Sequence, residues 1–149
     1  MVWKKHPKKF FTSEEQRRIT EEIRKAEERT SGEIRVHLDR YAGKDPLQKA
    51  QNIFLRLGMA RTQHRNGVLI YLATDQRKFA ILGDEGIHRV LPDGTWEDIR
   101  NEVQKHFLKG QFLEGLCLGI RRIGEGLQFH FPAEKEGHNE LPNSISESG

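Results

Sequence analysis

The sequence predicts an α/β fold: a three-layer α/β/α sandwich around a small mixed sheet, with a parallel strand-helix-strand unit and an antiparallel hairpin strand. Three observations carry this. Glu33 to Asp39 alternates apolar and polar residues with the period of a strand. Val68 to Ala73 is an unbroken apolar run of strand length. Stretches with apolar residues at helical spacing surround both. A chain of 149 residues is near the size of one domain. The organisation expected is a basic arm over 1–10, the α/β domain over 11–132, and an acidic, mostly flexible tail over 133–149.

The first helix opens at Thr12-Ser13-Glu14-Glu15, where Thr12 and Glu15 have the spacing of a capping box. Ile19, Ile23 and Ala26 form its buried stripe, and Ser31-Gly32 closes it. In the strand that follows, Ile34, Val36 and Leu38 face the core while Glu33, Arg35 and His37 form a half-exposed polar side. A second helix begins at Asp45-Pro46, with Asp45 as cap and Gln48 placed to complete a box. Ala50, Ile53, Phe54 and Leu57 are its apolar face, and Gly58 stops it.

The run Val68–Ala73 is the centre of the sheet. Thr74-Asp75-Gln76-Arg77 leaves too little chain for a crossover, so Lys78 to Leu82 must return antiparallel. Asn66 to Asp84 is thus a two-strand hairpin. Glu33 to Ala73 reads as a parallel, right-handed strand-helix-strand unit. After a helical turn around Ile87, a third helix begins near Thr95 and buries Trp96, Ile99, Val103 and Phe107. The fourth, from Gln111 to about Gln128, carries Gly115, Gly119 and Gly126, each costing up to ~1 kcal/mol of helicity relative to alanine. Close packing against a neighbour would offset that. Beyond Phe129 the periodicity ends: Phe131-Pro132 and Asn139-Glu140-Leu141-Pro142 are possible anchors, and Ser144 to Gly149 reads as a loose tail.

Composition narrows the function classes. Mean hydropathy is −0.75, and 32% of residues are charged. Lys4, Lys5, Lys8 and Lys9 precede Phe10, whereas four glutamates and one lysine follow Phe131. The formal net charge of +3 is therefore a balance of opposed ends, and no helix face interleaves a run of Arg or Lys with aromatics. Nucleic acid is not expected as a partner. The single cysteine, Cys117, excludes an internal disulfide and sits among leucines as a core residue. No apolar run spans a bilayer and no secretory leader is evident. A cytoplasmic location is expected, with a peripheral membrane position as the variant if Trp3, Lys4, Lys5, Lys8 and Lys9 touch an anionic surface.

Phosphate-cradling glycine motifs, nucleophile elbows and paired zinc histidines are absent. The seven histidines are scattered and are expected at the surface. Asp39 and Asp75, at the ends of the first two strands, are weak candidates for a metal site. Asp84 should lie a strand length from Asp75, because the third strand reverses direction.

The order of several short pieces resembles the TPM domain family: Phe11-Thr12-Ser13-Glu14-Glu15, Thr30-Ser31-Gly32-Glu33-Ile34, Asn66-Gly67-Val68-Leu69-Ile70, Asp75-Gln76-Arg77-Lys78, and the glycine-rich last helix. The resemblance covers about Phe10 to Leu127 and is closest to a bacterial branch. It implies the same α/β/α sandwich. It also implies two competing roles, since some members resemble acid phosphatases or bind divalent cations, while others look like accessory modules of membrane proteins.

Here Arg65-Asn66-Gly67 stands where many relatives carry Asp-Asn-Gly, and Asp75-Gln76-Arg77 where they carry Asp-Asp-Arg. The leading expectation is a non-catalytic interaction module with an unknown protein partner, membrane-associated or near a membrane, and no cofactor. The alternatives are a phosphatase assisted by Ca²⁺ or Mg²⁺, using Asp75, Arg77 and Arg65, and a membrane-surface adaptor using the basic arm.

Overall fold

The computed structural model describes residues 10–134 and 145–148. Trp3, the basic residues Lys4, Lys5, Lys8 and Lys9, and the Asn139–Pro142 anchor lie outside the described residues. The elements are α1 (Ser13–Glu27), β1 (Glu33–Asp39), α2 (Pro46–Arg56), β2 (Gly67–Ala73), β3 (Lys78–Gly83), α3 (Glu85–His88), α4 (Asp93–Leu108), α5 (Phe112–His130) and β4 (Ser146–Glu147).

Local signals set most of the boundaries. Thr12 Oγ1 accepts the Glu15 amide at 3.1 Å, and the Thr12 amide donates to Glu15 Oε1 at 2.9 Å. The capping box is complete. Asp45 Oδ1 accepts the Gln48 amide at 3.1 Å, but the Gln48 side chain turns to Asn52, at 3.2 Å, so this second box is only half formed. Gly58 takes the left-handed conformation, with φ 73°, at the end of α2. α4 begins at Asp93, two residues before the expected Thr95, because Pro92 presets its entry without a side-chain cap. α1 ends at Glu27, short of Ser31-Gly32.

The strand order is β3-β2-β1-β4. β1 and β2 run parallel, from Glu33 opposite Gly67 to Asp39 opposite Ala73. β2 and β3 form the expected antiparallel hairpin, from Val68 opposite Gly83 to Ala73 opposite Lys78. β4 was not anticipated: Ser146 and Glu147 pair parallel with His37 and Leu38, so this stretch is an edge strand and not a loose tail. The Ser148 amide continues the ladder to Leu38 O at 3.0 Å.

Two apolar layers flank the sheet. On one face, Ile34, Val36, Leu38, Val68, Ile70, Leu72 and Ile81 pack against α1, α4 and α5. On the other, Leu69, Tyr71, Ala73 and Ala80 pack against Ala50, Ile53 and Phe54 of α2 and against Met59. Every residue of β2 is buried. Each fully buried Leu or Ile contributes about 1.5–3 kcal/mol relative to exposure, so this strand is the energetic centre of the sheet.

The α5 glycines allow close helix packing. A Cβ on Gly115 would meet the Phe107 ring at 2.7 Å, and one on Gly119 would meet Val103 at 3.0 Å. Both contacts are to α4, so the helicity lost at these positions is offset by the approach of the two helices.

The polar side of β1 departs from the expected half-exposed strand. Glu33, His37 and Asp39 are buried, because β1 is internal to the sheet and covered on both faces.

Candidate functional site

Polar residues gather at the two ends of the β1–β2 pair. At the ends where these strands finish, backbone hydrogen bonds prolong the pairing: the Thr74 amide donates to Asp39 O at 2.7 Å, and the Asp75 amide to Arg40 O at 3.0 Å. Asp39 and Asp75 therefore share this end. The Asp39 carboxylate accepts the Tyr71 hydroxyl at 3.0 Å and its own neighbour's amide, Arg40 N, at 2.9 Å. Lys49 Nζ lies 4.0 Å from it. Burial and the Asp39 carboxylate push the Tyr71 phenol well above its usual range. Asp75 pairs with Arg40 at 3.4 Å.

Gln76 ties this end together. Its Oε1 accepts the Ala42 amide at 2.6 Å and its Nε2 donates to Gly43 O at 3.0 Å. An aspartate cannot supply that donor. The departure from the acidic hairpin pattern thus has a structural use in closing the β1–α2 loop.

His37 adjoins this end and is not at the surface. Its ring stacks against Tyr71 with 6.1 Å between centroids. Nδ1 lies 2.8 Å from Ser146 Oγ and Nε2 lies 2.5 Å from Ser148 Oγ. Burial lowers the imidazole pKa to about 4, against the opposing pull of Asp39.

The opposite end of β2 holds a second constellation. Arg65 donates to both oxygens of Asp84, Nε to Oδ2 at 2.7 Å and a terminal nitrogen to Oδ1 at 2.8 Å, and reaches Glu85 at 3.4 Å. The hydrogen bond to Asp84 raises the Arg65 pKa further. Asp84 Oδ1 also accepts the Glu85 amide at 2.8 Å and so caps α3.

Gly86 lies hard against the same loop: its amide donates to Arg65 O at 2.8 Å, and a Cβ there would meet His64 O at 2.3 Å. Glu27, the last residue of α1, and Glu33, the first of β1, interact through their side chains. Glu27 Oε2 accepts the Ile34 amide at 2.8 Å. Burial, with Glu33 nearby, raises the Glu27 pKa to about 8.

The three residues expected of a phosphatase are not brought together. Asp75 and Arg77 follow β2, whereas Arg65 precedes it, a seven-residue strand away. At ~3.3 Å per residue, β2 separates them by more than 20 Å. Arg65 and Gln76, the two departures from the more acidic pattern of relatives, therefore lie at opposite ends of β2.

The candidate metal ligands Asp39 and Asp75 fit a hard cation poorly. They offer two carboxylates flanked by Arg40 and Lys49, where Ca²⁺ takes six to eight oxygen ligands. Among the described residues no group of three or more His, Cys, Asp or Glu side chains is placed to hold a metal ion.

Sequence reasoning missed His37, Tyr71, Arg40 and Lys49 as members of one network. The spacing of Asp39 and Tyr71 along a parallel pair was the available signal; the serines were too distant in sequence to be seen.

Among the described residues a mixed four-stranded sheet lies between helical layers, with polar groups at both ends of its parallel pair, which defines a three-layer α/β/α domain. The TPM domain model matches residues 5–126, and the chain belongs to that family. The BA42 protein of the psychrophilic bacterium Bizionia argentinensis is 44% identical, with a TM-score of 0.88 over 93% of this chain and 96% of that one. The N-terminal domain of a P. gingivalis protein shares the fold at 22% identity and a TM-score of 0.66, over 88% and 83% of the two chains. The N-terminal domain of the cg2496 protein of Corynebacterium glutamicum does so at 16% and 0.55, over 78% and 74%. No curated protein shows a significant match. No described helix is long and apolar enough to cross a membrane.

Proposed function

We propose that this chain is a non-catalytic TPM-type interaction module whose partner is a protein at or near a membrane. The observation that carries this reading is the mutual commitment of the polar groups at both ends of β2. Arg65 is held by Asp84, and Asp75 by Arg40. Groups that satisfy one another across loops stiffen a scaffold, and they are poorly placed to receive a transferring phosphoryl group. The membrane-proximal setting rests on the family resemblance.

The test is direct. Purified protein incubated with a generic aryl phosphate ester and Mg²⁺ or Ca²⁺ is expected to release no phosphate. Turnover that Asp75→Asn abolishes overturns the proposal.

One observation favours a second reading. Asp75 and Arg77 lie on one bend with Arg40 beside them, so a surviving phosphatase would use Asp75 with Arg77 and Arg40, and not Arg65. In that case Arg40→Ala would lower turnover while Arg65→Ala would leave it largely intact.

A further inference from the structure

The two edges of the sheet differ. β4 covers part of the outer edge of β1, whereas among the described residues no strand pairs with the outer edge of β3. In an antiparallel pair, alternate residues turn their N–H and C=O groups away from the partner strand. Those of β3 face outward without a ladder. From Phe79 to Gly83 the strand has no charged residue and no proline, the devices that usually blunt an open edge.

This edge lies in a groove. One hollow of 450 Å³ runs along Phe79, Ala80 and Ile81 between Leu47 of α2 and Asn101 of α4. A second, of 370 Å³, adjoins it at Arg77, Lys78, Phe107 and Leu108. They share Pro46, Phe79 and Gln104, and so form one trough along the strand. Leu47 and Leu108 stand on its walls with 49% and 77% of their surface in water. Exposed leucines beside unpaired strand backbone are what strand addition uses: the ladder gives affinity and side pockets give specificity.

The charge along the trough is uneven. Arg77 and Lys78 sit at one end, and among the described residues no carboxylate pairs with either. The Arg77 guanidinium rests over the Phe112 ring at 5.5 Å, and its backbone is left-handed with φ 54°. That conformation is uncommon for a residue with a side chain. At the other end Asp45, Glu97 and Arg100 carry both signs.

We propose that the outer edge of β3 receives an extended segment of a partner protein as a further strand, with a carboxylate of that segment on Arg77 and Lys78. This rests on the interaction-module reading and describes how that partner is held. The six residues Lys78–Gly83 give a seat for a comparable length of peptide, about 20 Å. Leu47 and Leu108 take its apolar side chains, and the basic end fixes its direction.

The experiment uses the full chain, isotope-labelled for NMR, and an octapeptide of alternating valine and threonine ending in two aspartates. Saturable binding is expected, with the amides of Lys78 to Leu82 shifting most. A peptide ending in two lysines, and the R77E/K78E variant with the aspartate peptide, should each bind about tenfold more weakly. N-methylation of alternate peptide amides should abolish binding in one register and spare it in the other, which tests the ladder without altering the protein.

The proposal is overturned by absence of saturable shifts at millimolar peptide, by shifts confined to β1 and β4, or by equal tolerance of both N-methyl registers. Concentration-dependent dimers with β3 protected would give the edge to a second copy and overturn it too. Its failure is separable from that of the module reading. A native partner whose footprint avoids β3 removes only the groove, whereas phosphate release dependent on Asp75 removes the module reading and leaves peptide addition to be measured.

Discussion

The Arg65 guanidinium and the Asp84 carboxylate hold each other through two hydrogen bonds of 2.7 and 2.8 Å, joining the loop before β2 to the loop after β3. Asp84 is only 7% exposed, so removing its cation strands a buried carboxylate. Arg65→Ala is expected to cost about 1–3 kcal/mol in urea unfolding. Arg65→Lys should recover less than half of that, since a point charge cannot make both bonds. A double-mutant cycle with Asp84→Asn that shows no coupling would remove the pair from the stability of this end.

Gln76 predicts a subtler loss. Gln76→Glu keeps the acceptor used by the Ala42 amide but loses the donor to Gly43 O. It also places a negative charge next to Asp75 in sequence. A destabilisation of about 1 kcal/mol is expected. Acidic restoration at this position should create no phosphate release.

The His37 imidazole stays neutral when folded down to about pH 4, while the unfolded chain protonates near 6.5. Between those values the unfolded state binds more protons, so stability falls as pH drops through the window. The charged groups that act on the ring are Asp39, Arg35, Arg56 and Lys49. Thermal melts from pH 7 to 4 should show this slope, and His37→Gln should remove it. Opening β4 uncovers the ring. Protection of the Ser148 amide, corrected for intrinsic exchange, should therefore also fall on acidification.

Glu27 acts in the reverse direction. Its folded pKa of about 8 lies above the ordinary 4.5 because of burial and the neighbouring Glu33. The folded state keeps a proton that the unfolded state releases, so this contribution is present below pH 4.5 and is lost as pH rises to 8. Glu27→Gln should flatten that decline and match or exceed the parent protein at pH 8. Parallel pH profiles for the two proteins would show that the carboxyl pair does not hold the proton.

Two α5 glycines should respond oppositely to alanine. Gly115→Ala drives a methyl to 2.7 Å from the Phe107 ring and is expected to cost about 1–3 kcal/mol. At Gly126 the nearest atom is Leu91 Cδ2 at an ordinary 3.4 Å. There the gain in helix propensity should prevail, raising stability by up to about 1 kcal/mol. Chemical denaturation of both variants decides the matter.

Where information is local, the sequence was readable. The Thr12–Glu15 box, the left-handed Gly58 and the hairpin between Ala73 and Lys78 depend on neighbours a few residues apart. The spacing of Gly115 and Gly119 even anticipated the tight helix pair. The polar face of β1 was misjudged because alternation reports side-chain polarity and not what covers it. Glu33, His37 and Asp39 are buried because β1 is internal to the sheet, and Glu27, Ser146, Ser148 and Tyr71 supply their polar partners. The site suffered from the same limit. Arg65 and Asp75 stand ten residues apart in sequence, but the seven-residue β2 between them places them at opposite ends of the strand.

Ser146 meets His37 across 109 residues of chain. During synthesis β1 emerges early, yet the segment that covers its outer edge is made long afterwards. Through that interval β1 lacks the strand that pairs with its outer edge, and His37 lacks the hydroxyls of Ser146 and Ser148. Docking of β4 is therefore a late, non-local step, and a chain stalled before it offers neighbouring copies a second template for pairing.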